Sequence, residues 1–235
     1  MFRLDERGVY RAQILEDLPW LEHGFGTRTS IDWPGERAIA SLRQIHSDRV
    51  LIAEGPVCAG EGDALITDRP GIPLTIRTAD CLPILAADTR NRAVAAIHAG
   101  WRGVVQEIVP KTLVAMAERF GSRPEDLRIA IGPGIGACCF EVGPEVARKF
   151  ASLFPERDDL FTRTRVDLLE AVCRQLSRSD VTAGQTAALG LCTACHKDTF
   201  HSYRREREAA GRMVSLIGIR EEAFGSPQKR RKARD

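Results

Sequence analysis

Aromatic residues are scarce: Phe, Tyr and Trp make up 6% of the 235-residue chain. Any core built from it is therefore mainly aliphatic. No uninterrupted apolar run is long enough to cross a bilayer, so a membrane role is not expected. The opening stretch Met1–Gln13 lacks the apolar centre of a secretion signal, because Arg3, Asp5, Glu6, Arg7 and Arg11 are scattered through it. A cytoplasmic location is the expectation. Basic excess is also missing from most of the chain. The formal net charge is +2, yet Ser226–Asp235 alone holds Lys229, Arg230, Arg231, Lys232 and Arg234 against Asp235. The remainder is slightly acidic, unlike a protein with a basic nucleic-acid-binding face. Residues 226–235 read as a basic, disordered, solvated tail. The seven cysteines are odd in number. Without an export signal, free thiols or metal ligands are expected before disulfides.

What remains is enough for one domain, expected over residues 1–225. Strand and helix signals alternate without an internal repeat or a linker. Arg49–Ala53, Ala64–Thr67, Leu82–Ala87, Ala93–His98, Leu127–Ile131 and Met213–Ile219 read as strands, with a turn over Asp88–Arg92. Gly103–Phe120 reads as a helix with a kink or late start at Pro110 and a stop at Gly121. Glu145–Phe154 and Asp167–Leu176 read as further helices, the second placing Cys173 on a core-facing stripe. The fold class is α/β, an α+β mixed-sheet sandwich.

Chemistry-bearing residues are few. Of five histidines, His46 closes Arg43-Gln44-Ile45-His46-Ser47. His98 ends an apolar strand ahead of Ala99-Gly100-Trp101-Arg102-Gly103, and Cys81 lies in Thr78-Ala79-Asp80-Cys81-Leu82-Pro83. Two imidazoles and a thiolate would make a three-ligand set with one open position, the mark of catalytic rather than structural zinc. Copper also suits such a set, although the three methionines lie far from these motifs in sequence. From chemistry alone the alternative stays open that these are a buried thiol and two core histidines. Cys192-Thr193-Ala194-Cys195-His196 matches a haem-attachment pattern, but that chemistry belongs to exported proteins. Its spaced cysteines could alternatively bind zinc as a second metal, but no second spaced pair follows and Cys138 and Cys139 are adjacent, so a structural role is the first expectation. Gly132-Pro133-Gly134-Ile135-Gly136 reads either as a plain turn or as a loop whose amides line a substrate pocket, with Gly134 as the contact.

Together, Gln44-Ile45-His46, Thr78–Pro83, His98–Gly103, Ile131-Gly132-Pro133 with Ile135-Gly136, Cys192-Thr193, Ser202–Arg205 and Gly211-Arg212 resemble the signature of the YfiH/LACC1 family, the laccase-domain or polyphenol oxidase family proteins. The match runs in order over nearly the whole chain. It implies a single α/β domain of the kind shared with cytotoxic-necrotizing-factor-like deamidases. It implies zinc held by His46, Cys81 and His98. It also implies purine nucleoside phosphorylase activity on adenosine, inosine and methylthioadenosine, with adenosine deaminase activity beside it. Substrate partners would be purine nucleosides and phosphate. Laccase activity with copper has been ascribed to the family too, but a four-copper centre needs more imidazoles than five histidines supply. Deamination of the cytidine-deaminase type uses H-x-E with P-C-x-x-C; Ala99 and Gly100 follow His98, so another arrangement would be needed, with Asp80 as acid/base partner. Arg102 and Arg77 are the expected phosphate ligands, the guanidinium fork matching two oxygens, and Gln44 is a further substrate contact. Two rival readings stand beside these: a Cys–His hydrolase or amidase using Cys81 and His98, and a copper-dependent phenol oxidase.

Overall fold

The computed structural model describes residues 1–221. In chain order the strands are β1 (Phe2–Leu4), β2 (Val9–Ala12), β3 (Leu21–Gly26), β4 (Ser41–Arg43), β5 (Val50–Ile52), β6 (Cys58–Glu61), β7 (Ala64–Thr67), β8 (Leu74–Thr78), β9 (Leu82–Asp88), β10 (Val94–Ala99), β11 (Leu127–Ile131), β12 (Glu141–Val142), β13 (Thr164–Arg165), β14 (Thr186–Ala188) and β15 (Met213–Ile219). The helices are α1 (Gln13–Glu16), α2 (Trp101–Val105), α3 (Ile108–Phe120), α4 (Pro144–Ala147), α5 (Leu168–Arg178) and α6 (Tyr203–Glu206).

A six-stranded mixed sheet, β14-β11-β9-β10-β7-β5, forms the middle layer, and a five-stranded sheet, β1-β2-β3-β15-β8, covers one of its faces. The mixed α/β single domain is as expected. Alternation along the central strands explains the layering. Ile84, Ala86, Ala95 and Ile97 join the core shared with α3 and α5, while Leu85, Ala87, Val94 and Ala96 join the core between the sheets. Both faces are buried, so β9 and β10 read as continuous apolar runs rather than alternating ones.

β9 and β10 form an antiparallel hairpin across the expected turn, closed by Asp88, whose Oδ1 accepts from the amides of Arg90 (2.8 Å) and Asn91 (2.9 Å). The long helix expected over Gly103–Phe120 is two helices instead. Glu107 between them has φ 64°, and Pro110 falls in the first turn of α3, where a missing N–H costs nothing. Gly121 ends α3 in the left-handed conformation at φ 71°. The helix expected over Glu145–Phe154 shrinks to α4 and a 3₁₀ turn, Arg148–Phe150. Of its buried residues Ala147, Phe150, Leu153 and Phe154, the first three are spaced by three, which a 3₁₀ winding places on one side. Cys173 is partly buried and packs against the helix-side core. The basic tail expected at 226–235 lies outside the described residues. No helix among the described residues is long and apolar enough to cross a membrane.

Candidate active site

Strand pairing brings the principal residues together. β9 and β10 run antiparallel with Ala99 opposite Leu82, so Cys81, just ahead of β9, lies beside the end of β10. β10 also pairs with β7, Ile97 opposite Ala64, which puts Asp63 beside His98. The chain is bonded there twice: the His98 amide donates to the Asp63 carbonyl (2.7 Å), and His98 Nδ1 meets Asp63 Oδ1 at 2.7 Å. Asp63 then organises the loop that carries His46. Its carboxylate accepts from the amides of His46 (3.0 Å) and Ser47 (2.6 Å) and from the Ser47 hydroxyl (2.7 Å). His46 sits at φ 59°, a left-handed conformation uncommon for a non-glycine residue, which these bonds hold in place.

The donor atoms of His46, Cys81 and His98 all lie within 4.8 Å of one another. Cys81 Sγ is 3.9 Å from His46 Nε2, and the two imidazoles cross edge to face with centroids 4.9 Å apart. Gly100 leaves the room this needs: a Cβ there would stand 2.9 Å from Cys81 Sγ and 3.1 Å from His46 Cδ2. Burial pushes the Cys81 thiol up, but the imidazoles of His46 and His98 outweigh it and bring it down to about 6. Burial pulls His98 down, and the Asp63 carboxylate with the Cys81 sulfur reverses this, raising it to about 9. Burial raises Asp63, while its bonds to His98 and Ser47 lower it to about 2. Such a group suits a metal ion. The soft thiolate and two imidazoles are a zinc or copper donor set, and the bond from Asp63 to His98 Nδ1 directs Nε2 toward an ion, the usual carboxylate–histidine support. Asp63 escaped sequence reasoning. Its one signal is position: an acid ahead of a fully apolar strand, in Gly62-Asp63-Ala64.

Above the three donors opens a cleft of about 960 Å³. Its cationic wall has Arg77, Arg102, Arg204, Arg207 and Arg212, and its apolar wall includes Trp101, Ile135, Phe140 and Leu168. Of the arginines only Arg77 and Arg102 were expected. Arg204, Arg207 and Arg212 come from the segment around α6, whose family motif was visible but whose place in space was not. Arg102 lies over the Trp101 ring at 4.6 Å, and Arg204 bonds the carbonyls of Cys139 and Glu141, both at 3.0 Å. Gln44 joins the lining but spends its amide on the main chain of Arg77, donating to its carbonyl and accepting from its N–H, each at 2.8 Å.

Asp80 also faces the cleft, at φ 84°. Both carboxylate oxygens are engaged: Oδ1 accepts from the Thr193 hydroxyl and Oδ2 from the Arg204 amide, each at 2.6 Å. Gly134 is not among the lining residues. A Cβ on it would meet Leu82 Cδ2 at 2.5 Å and the Asp80 carbonyl at 3.1 Å, so glycine serves close packing there. The loop's amides are turned inward as well, Gly132 donating to the Pro83 carbonyl (2.8 Å) and Ile135 to that of Asp80 (2.7 Å). The remaining histidines stand apart. His23 Nε2 accepts from the Ala12 amide (2.9 Å), and the Nδ1 atoms of His196 and His201 meet the Cys192 carbonyl and Glu206. Among the described residues, histidines contribute to one potential metal-binding group.

The fold and the site thus define a single-domain α/β protein with one metal-competent His₂Cys group at the base of an arginine-walled cleft. The chain belongs to the YfiH/LACC1 family, whose model, described as multi-copper polyphenol oxidoreductase laccase, matches residues 27–220. It is 36% identical over 188 residues to a purine nucleoside phosphorylase of Clostridium acetobutylicum, covering 79% of each chain. It is 35% identical over 182 residues to the purine nucleoside phosphorylase YfiH of Escherichia coli, covering 76% of this chain and 72% of that one. Among solved structures, YlmD from Geobacillus stearothermophilus superposes with a TM-score of 0.84 at 25% identity, over 94% of this chain and 99% of the other.

Proposed function

We propose that this chain is a zinc-dependent purine nucleoside phosphorylase acting on adenosine, inosine and methylthioadenosine, with adenosine deaminase as a side activity. The observation that carries the reading is the cleft's cationic wall. None of Arg77, Arg102, Arg204, Arg207 and Arg212 is in an ion pair among the described residues, so the charge stands ready for an anion. The relatives named as purine nucleoside phosphorylases point the same way.

In phosphorolysis a phosphate oxygen bonds to the anomeric carbon of the ribose. The bond from that carbon to the purine nitrogen breaks, and its electron pair leaves with the base. Arg77 and Arg102 hold phosphate oxygens, with Arg207 closing over the same anion. Gln44 fixes the main chain of Arg77 and so aims its side chain. Trp101, Phe140 and Leu168 offer the base an apolar face. His46, Cys81 and His98 would hold zinc, which supplies a Lewis acid next to the bound nucleoside. Asp80 we assign to positioning: with both oxygens bonded, it ties the residue before Cys81 to the Thr193 and Arg204 segments.

The test is phosphate-dependent release of free purine and formation of ribose 1-phosphate from inosine or adenosine. Activity in the zinc-loaded protein and its loss in His46→Ala are expected. Absence of any phosphate-dependent product from protein with zinc bound at this site would overturn the reading. A second reading is favoured by one observation, the Cys81 thiol held near 6 beside His98 near 9: a Cys–His hydrolase with Cys81 as nucleophile. A thiolate bound to zinc cannot attack a carbonyl, so metal-free protein that is active and inactivated by alkylation of Cys81 would select the second.

A further inference from the structure

Behind the cleft, two loops carry four cysteines. Cys138 and Cys139 lie in the turn after Gly136, and Cys192 and Cys195 in the turn that follows β14. Far apart in sequence, the loops are joined by a parallel bridge between Gly134 and Cys192, with the Thr193 amide donating to the Gly134 carbonyl at 2.9 Å. The result is a cluster whose four sulfurs all lie within 4.8 Å of one another. We propose that Cys138, Cys139, Cys192 and Cys195 form a second metal site, a closed tetrathiolate that holds one structural zinc ion.

Geometry supports an ion over a disulfide. Zinc–thiolate bonds of about 2.3 Å place the sulfurs of a tetrahedral site about 3.8 Å apart along each edge. Cys195 Sγ is 3.5 Å from Cys138 Sγ and 3.5 Å from Cys139 Sγ. A disulfide would choose one partner and contract to about 2.05 Å; equal spacing to two sulfurs with a fourth close by is the pattern of ligands around a common centre. Sulfurs this close enclose a single ion, not a multi-iron cluster. The surroundings are built for thiolate. The Gly136 amide donates to Cys192 Sγ at 3.2 Å, the kind of bond that supports a charged sulfur ligand. Gly136 also lets the loops close: a Cβ would stand 3.2 Å from Cys192 Cβ and 3.3 Å from Cys138 Sγ. Four protein ligands leave no open position, so this site would be structural, in contrast to the three-ligand group in the cleft. Zinc here would pin the segment that supports the cleft wall, since Thr193 bonds Asp80 and Arg204 bonds the Cys139 carbonyl. The assignment does not depend on the nucleoside reading.

The test is metal content of the full chain purified under nitrogen without chelator. Two zinc ions per chain are expected, one for each donor group. Cys195→Ser should fall to one, and His46→Ala should keep one that resists mild chelation. Should Cys195→Ser fail to fold, cobalt replaces zinc in the otherwise unaltered His46→Ala chain, where a tetrahedral cobalt spectrum with thiolate charge-transfer bands is expected. Alkylation followed by mass spectrometry reads the same residues: the four thiols should be protected until metal is removed and all react afterwards. A chain with no zinc in the His46→Ala variant, or whose four cysteines are disulfide-bonded or freely alkylated as purified, overturns the proposal.

Discussion

Asp63 is fully buried, yet its carboxylate stays ionised because every bond it makes comes from a donor: the His98 ring, the amides of Ile45, His46 and Ser47, and the Ser47 hydroxyl. It therefore positions two of the three proposed ligands at once, His98 through the ring and His46 through the main chain. Asp63→Asn should keep the shape while replacing the charged acceptor with an amide. Zinc affinity of the cleft site should fall by about 10- to 100-fold, the usual effect of losing such support, read by competition with a chromogenic chelator. Unchanged affinity would remove Asp63 from the site's design. Arg77 makes a separate case. Its main chain is held by Gln44 while no carboxylate pairs with its guanidinium among the described residues. Arg77→Ala should raise KM for phosphate by roughly tenfold, the worth of a charge-assisted hydrogen bond, with a smaller change in the KM for nucleoside. Equal effects on both would argue that Arg77 shapes the cleft without binding the anion.

At the scale of elements, the strands that bear the site are intolerant of added volume. Gly132 follows β11 with the Phe25 ring and Pro83 packed where a Cβ would stand, so the clash is with the core and not with solvent. Gly132→Ala should destabilise the protein by about 1–3 kcal/mol, seen as a lower urea midpoint with an unchanged slope. A neutral substitution would mean that Phe25 can move aside. These same strands were legible in the sequence because burial on both faces made β9, β10 and β15 into apolar runs of strand length. Cys81 and His98 were legible as motifs at the ends of such runs. Asp63 was not, since its partners are 35 residues away in His98 and 16 in Ser47, and only the β7–β10 register unites them. The cysteine quartet was missed for a similar reason. Its two halves meet through a single bridge at Gly134, and an adjacent pair such as Cys138-Cys139 does not carry the spacing by which zinc sites are recognised in sequence. Arg207 and Arg212 depend on how the segment after α6 folds back over the cleft, a tertiary fact that no local pattern encodes.

For the whole molecule, the response to acid turns on a histidine outside the cleft. His23 lies in β3, 3% exposed, with Nε2 accepting from the Ala12 amide at 2.9 Å. Burial, with the positive charges of Arg11, Arg3 and Arg220 adding to it, depresses this imidazole to about 3. In the unfolded chain it titrates near 6.5. Between those values the unfolded state binds a proton that the folded state refuses. His23 therefore gives its full stabilisation above about pH 6.5, and that contribution is lost as pH falls toward 3, at up to roughly 1.4 kcal/mol per pH unit. His23→Gln offers Ala12 a neutral amide oxygen in place of the ring nitrogen and removes the titration. Urea midpoints measured from pH 7 to pH 5 should fall for the parent chain and fall less for the variant, the difference widening by about one proton's worth of linkage. Carboxylates titrate lower, and zinc is released by acid from both chains, so these effects largely cancel in the comparison. Parallel curves would show that His23 accepts a proton in the folded state, which would require the Ala12 amide to let go of its ring and the end of the β2–β3 pairing to open.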